Sequence, residues 1–111
     1  MAQTQVVEAA RAYLLHLRHL NFEVSFGVLF GSHAKGNAGP WSDIDLIVVS
    51  PTFDREKQRS DIDLLWTATL EADERIEPVP CGVVEWTDDD SRTIVEIARR
   101  EGQIIELDKA A

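Results

Sequence analysis

The chain has 111 residues, 44% of them apolar and 28% charged, an ordinary globular composition with no apolar run of membrane-spanning length. Twenty acidic against eleven basic residues leave a formal net charge of −9, which opposes general binding to nucleic-acid backbones, because that affinity comes mainly from Lys and Arg. The length points to a single domain over residues 1–111 with a real core, and the one cysteine, Cys81, rules out an internal disulfide, so a cytoplasmic protein is expected.

Met1-Ala2-Gln3-Thr4-Gln5 has neither a basic start nor an apolar leader core. From Gln5 to about Leu20, Val6, Ala9, Ala10, Tyr13, Leu14, Leu17 and Leu20 recur at i, i+3, i+4, i+7 spacing, which predicts an amphipathic helix. His16 and His19 lie three apart on it; with no third ligand nearby in sequence, they read as helix-surface residues. Phe22 to Phe30 is the first predicted strand, and Gly31 to about Lys35 starts a short helix that Gly36, Asn37, Gly39 and Pro40 end in a loop. Asp43 to Val49 is the second strand. Ser50-Pro51-Thr52-Phe53-Asp54 ends it, and a helix from about Arg55 to Ala72 then makes a crossover long enough for parallel or mixed pairing. In Arg75-Ile76-Glu77-Pro78-Val79-Pro80 two prolines forbid a fully hydrogen-bonded central strand, so this segment belongs at a strand end or on an edge. Asp88-Asp89-Asp90-Ser91 has the look of an acidic metal loop, but it directly precedes a helical stretch from Thr93 to Arg100 and reads as capping and dipole compensation. Gly102 closes that helix, and Gln103 to Leu107 is a final short strand. The pattern is α/β, a mixed central sheet flanked by helices.

The chemistry concentrates in two places. Gly31-Ser32 stands where the chain leaves a buried strand for a helix, so unpaired backbone N–H groups point outward and attract phosphate. Ten residues later, Asp43 and Asp45 sit at i and i+2 of a strand, on one face, and can ligate one divalent cation. The same pentapeptide, Ser-Asp-Ile-Asp-Leu, recurs at residues 60–64, followed by helix formers. There i and i+2 lie roughly 200° apart, so Asp61 and Asp63 point to opposite sides and cannot share a metal. Holding two ions takes a third carboxylate. Glu77 and Glu85 are the candidates, and Glu77 is favoured because the crossover places its segment beside the Asp43 strand. The acidity of the chain also repels a bare triphosphate, so a nucleotide should arrive with its metal ions.

With Gly31-Ser32, ten residues, then Asp43-Ile44-Asp45, the chain resembles the DNA polymerase β-type nucleotidyltransferase superfamily in its minimal nucleotidyltransferase (MNT) branch. The likeness extends through Arg75-Ile76-Glu77-Pro78-Val79-Pro80 to the helix-Gly-strand ending at Gly102. The resemblance implies a palm-like fold in which Gly31 and Ser32 bind the triphosphate. Asp43 and Asp45 would hold two Mg²⁺ ions, with Glu77 completing the site where the family often has aspartate. Lys35 would counter phosphate charge, with His33 and Ser42 as structural neighbours. It further implies AMP transfer from ATP to a tyrosine of a helical HEPN-type toxin, the chain acting as antitoxin. Two other readings stand beside it. One is a contact-only antitoxin with a vestigial site. The other is an aminoglycoside-type transferase, which would need a homodimer interface to build its acceptor pocket.

Overall fold

The computed structural model describes residues 3–35, 39, 42–88 and 92–107, with only the backbone of Ser32 and Lys35. In chain order the elements are α1 (Thr4–His19), β1 (Phe26–Phe30), α2 (Ser32–Lys35), β2 (Ile44–Val49), a 3₁₀ turn (Pro51–Asp54), α3 (Arg59–Thr69), β3 (Ile76–Cys81), α4 (Val83–Asp88), α5 (Thr93–Glu101) and β4 (Gln103–Glu106). The strands form one mixed sheet in the order β3-β2-β1-β4. β1 runs antiparallel to both β2 and β4, whereas β2 and β3, joined through α3, are parallel. A parallel neighbour needs such a crossover, and α3 supplies it.

Side-chain alternation divides the core between the two sheet faces. Leu29, Ile44, Leu46, Val48, Ile76 and Ile105 pack with Tyr13, Leu14 and Leu17 of α1 and with Leu65 and Ala68 of α3. Val28, Phe30, Ile47, Val49 and Cys81 pack with Val95 and Ala98 of α5 and with Trp86 of α4. The two helices on the first face are tied together where the buried Tyr13 hydroxyl donates to Leu65 O at 2.7 Å, and just past the end of α3 His16 Nε2 meets Glu71 Oε1 at 3.0 Å. β3 lies at the sheet edge, as its prolines require. Gly102 ends α5 in an extended rather than left-handed conformation, with φ −83°. Space explains the glycine, because a Cβ there would lie 2.5 Å from Ala98 O and 2.7 Å from Leu29 O.

Several boundaries differ from the sequence expectation, each for a physical reason. β1 begins at Phe26 rather than Phe22, because Asn21 adopts a left-handed conformation (φ 68°) and reverses the chain after α1. Phe22 and Val24 still reach the core, but from a connection. α3 begins at Arg59 rather than Arg55: Ser50 Oγ accepts from Thr52 N–H at 3.1 Å and caps the 3₁₀ turn, so residues 55–58 form a non-helical join. α4 was not foreseen. Its six residues are too few to show a periodic pattern, and its first turn is capped from afar, Val84 N–H donating to Asp54 Oδ1 at 2.9 Å. Asp88 closes α4 rather than capping α5, whose N-cap is Arg92 without a side-chain cap; Asp89, Asp90 and Ser91 lie outside the described residues, as do Gly36, Asn37 and Pro40.

Candidate active site

β1 ends at Phe30, opposite Asp45 of β2, and the chain then turns through Gly31 at φ +76° into α2. Two constraints converge on that glycine. Its φ lies in the region L residues avoid, and a Cβ would collide with the Asp45 carboxylate. The turn and the acidic strand are therefore in direct contact. α2 has four residues, too few for a useful macrodipole. The side chains of Ser32 and Lys35 lie outside the described part of the structure.

In β2–β3 register Asp45 lies beside Glu77, and Asp43 stands two residues before Asp45, just outside the strand. That parity puts all three on the sheet face that carries α5. Asp43 is exposed, and Asp45 and Glu77 are half-buried. Their proximity shows in their proton affinities. A shared hydrogen bond with Asp43, then burial, then the charges of Asp43 and Asp45 raise the Glu77 carboxyl above its usual range. Burial first, then the Asp43 charge, raise Asp45, while His33 and a hydrogen bond with Glu77 pull the other way. Like charges gathered on one half-buried shelf are what a divalent cation relieves, and hard carboxylate oxygens are its preferred donors. Among the described residues no three such side chains are drawn close enough to enclose an ion as they stand. The donor chemistry fits a divalent cation, which would gather the carboxylates by rotation of their side chains.

Glu85, the other candidate, sits past the far end of β3. Its carboxylate takes Arg92 at 2.8 Å, Gly82 N–H at 3.2 Å and Lys57 at 3.4 Å. Burial would raise its proton affinity, but these donors prevail and hold it below the usual range. It serves the packing of α4. Clefts of about 300 Å³ (Phe53, Asp54, Arg55, Lys57, Val84, Glu85) and about 320 Å³ (Thr52, Arg55, Glu56, Gln58, Asp61) open at that same end, away from the carboxylate shelf. Asp61 and Asp63 point apart on α3: Asp61 lines the second cleft, and Asp63 meets Arg59 at 3.9 Å.

Two features near the shelf have more to them than the sequence indicates: His33 is expected only as a structural neighbour, and Asp73 is not marked at all. His33 is buried, at 7% exposure, and its Nε2 lies 3.2 Å from Ser42 O. Asp73 and Arg75 form a forked pair just before β3, with Nε–Oδ1 at 3.1 Å and a second contact at 2.7 Å, and this pairing holds the Asp73 carboxyl below its usual range against the effect of burial. A histidine directly after the Gly-Ser turn was the available signal for the first. An Asp and Arg two apart in a loop carry none.

Residues 16–105, which include every one of these shelf and turn residues, match the family described as "Nucleotidyltransferase domain". The chain belongs to the nucleotidyltransferase domain family. The domain's fold is also that of solved structures. A candidate nucleotidyltransferase from Sulfolobus solfataricus aligns over 90% of this chain and 78% of its own, with TM-score 0.63 and 15% identity. A toxin–antitoxin structure with AMP-PNP aligns over 89% of this chain and 74% of its own, with TM-score 0.56 and 17% identity. At these identities the likeness is one of fold. No curated protein gives a match.

Proposed function

We propose that this nucleotidyltransferase domain moves AMP from ATP, with Mg²⁺, to a tyrosine hydroxyl of a helical HEPN-type partner, and so acts as an antitoxin in the cytoplasm. The observation that carries the reading is the contact between the Gly31 turn and a shelf of three carboxylates, Asp43, Asp45 and Glu77. A triphosphate laid against the turn would have its α-phosphate beside the shelf. Asp43, Asp45 and Glu77 would hold the Mg²⁺, which supplies charge neutralisation of the triphosphate and of the departing pyrophosphate. The phenolic oxygen forms the new bond to the α-phosphorus, and the bond to pyrophosphate breaks. The phenolic proton passes to a carboxylate of the shelf. Positioning and charge supply the rate, and no covalent enzyme intermediate is needed.

Two further facts support this choice of acceptor. The net charge of −9 disfavours a polynucleotide. One fold neighbour is a toxin–antitoxin structure with AMP-PNP. Among the described residues no helix is long and apolar enough to cross a membrane. The test is intact-mass spectrometry of the partner after incubation with ATP, Mg²⁺ and wild-type protein, Asp43→Ala, or Asp61→Ala. AMP should appear on the partner with wild type and Asp61→Ala and not with Asp43→Ala. A partner that gains no AMP, yet is neutralised by all three, would make this a contact-only antitoxin.

A further inference from the structure

Asp43 is exposed and lies outside the β2 ladder, so the sheet alone does not fix it. Its two neighbours in the chain are fixed instead. On one side Ile44 N–H donates to Arg75 O at 2.8 Å, tying the start of β2 to the chain entering β3. On the other, Ser42 is held at three atoms: its N–H donates to Gly39 O at 3.2 Å, its hydroxyl accepts from Gly39 N–H at 3.0 Å, and its carbonyl meets His33 Nε2 at 3.2 Å. A carbonyl can only accept, so Nε2 carries the proton in this contact. The bond to His33 differs in kind from the two local ones. It comes from a buried ring on the helix that follows the Gly31 turn, and it joins the phosphate side of the site to the residue before Asp43.

We propose that His33 is a positioning residue: through the Ser42 carbonyl it holds the backbone at Asp43 in place beside Asp45 and Glu77, so that the metal has only side chains left to gather. The role rests on the nucleotidyltransferase reading of the site. Without the tie, the backbone at Ser42 and Asp43 must be ordered when the ion binds. Ordering a residue costs about 1–2 kcal/mol, which corresponds to metal binding weaker by about tenfold. A histidine that merely fills space predicts a different outcome, a change in stability with no change in metal uptake.

The experiment titrates Mn²⁺ into the protein with α,β-methylene-ATP, whose α–β bridge cannot be cleaved, and reads bound Mn²⁺ by electron paramagnetic resonance. Wild type is compared with His33→Gln, which keeps an amide N–H near the Nε2 position, and with His33→Leu and His33→Asn, which fill or nearly fill the space but cannot reach Ser42 O. The Leu and Asn variants should need about tenfold more Mn²⁺ for half-saturation, and Gln should stay within about twofold of wild type. If Leu in a buried polar site fails to fold, Asn decides. Folded variants that bind Mn²⁺ as wild type does, while Asp43→Ala does not, would overturn the positioning role and leave the active site standing. Wild-type protein that takes up no Mn²⁺ beyond that held by the nucleotide alone would overturn the active-site reading, and this role with it.

Discussion

Replacing Asp45 with Asn should stabilise the metal-free protein. Asp45 is paired laterally with Glu77, at an inter-strand spacing of about 4.8 Å, and Asp43 lies two residues along, at about 6.7 Å. At the effective dielectric of about 20 typical near a protein surface, unit charges at those spacings repel by about 3.5 and 2.5 kcal/mol, upper figures that solvent around this half-exposed shelf cuts down. Asp43 is exposed and its charge screened by solvent, so a net gain of about 1–2 kcal/mol is expected on removing the Asp45 charge. For a chain of 111 residues, an unfolding entropy of about 2.1 cal/mol/K per residue turns that into a rise in Tm of about 4–9 °C. Asn has the shape of Asp, so the contact with Gly31 is kept. The assay is thermal melting with EDTA at low ionic strength. Added Mg²⁺ should then raise the midpoint of wild type and leave the variant unmoved, and added salt should narrow the EDTA difference. The pH dependence has a definite sign. Asp45 and Glu77 have raised folded-state affinities, so their cost is present above those raised values and fades as pH falls through them. An Asp45→Asn protein that melts at or below wild type in EDTA at low salt and neutral pH would refute the like-charge account of the shelf.

Gly31→Ala should cost about 1–2 kcal/mol from the left-handed backbone alone and should also displace the Asp45 carboxylate; melting and calorimetry with Mg²⁺ and ATP should record loss of both stability and nucleotide uptake. Asp73→Asn should destabilise the protein by about 1 kcal/mol or less at neutral pH. Because the folded-state affinity of Asp73 is depressed, that stability is present above its unfolded pKa and is lost as pH falls through the folded value, so wild type and variant should converge in melts at strongly acidic pH. Cys81 is fully buried, and burial, with a smaller contribution from the Glu85 charge, pushes its thiol up to about 12. A thiol reagent at pH 8 should therefore label it only at the rate of unfolding, and rapid labelling of folded protein would contradict that burial.

The elements legible in the sequence are those whose signal is local and repeated. α1 has four turns of apolar spacing, and the Ile47-Val48-Val49 run of β2 has no competing helical reading. The length of the helical crossover places the Glu77 segment next to the aspartate strand, and Pro78 and Pro80 mark that segment as an edge. What escaped depends on distant contacts. α4 is short and takes its cap from Asp54, thirty residues earlier. The join at 55–58 follows from one serine hydroxyl closing a 3₁₀ turn. Asp43 falls just short of β2, whose pairing with the chain entering β3 begins with Ile44 N–H to Arg75 O, a contact that exists only once the crossover is made. Nor could one residue type reveal that His33 reaches across to Ser42, since that bond joins positions nine apart. The repeated Ser-Asp-Ile-Asp-Leu shows the other limit of local reading, where identical letters take opposite geometries because their flanks differ.

The prolines of β3 also decide what can approach the sheet from outside. Ile44 N–H to Arg75 O and Ser50 N–H to Cys81 O show that odd-numbered residues face β2, so the backbone groups of Ile76, Pro78 and Pro80 face outward. Neither proline has an N–H, and that of Ile76 is spent on Asp73 O at 3.1 Å. The Pro80 carbonyl is taken by Arg92 at 3.1 Å. This rim therefore offers an incoming strand no donors, and an extra strand cannot zip onto it. The sheet cannot be lengthened on the side where Glu77 sits. A macromolecule that brings a hydroxyl to the carboxylates across this rim meets side chains and surface shape there rather than a strand edge, so strand addition at β3 is not how it is gripped.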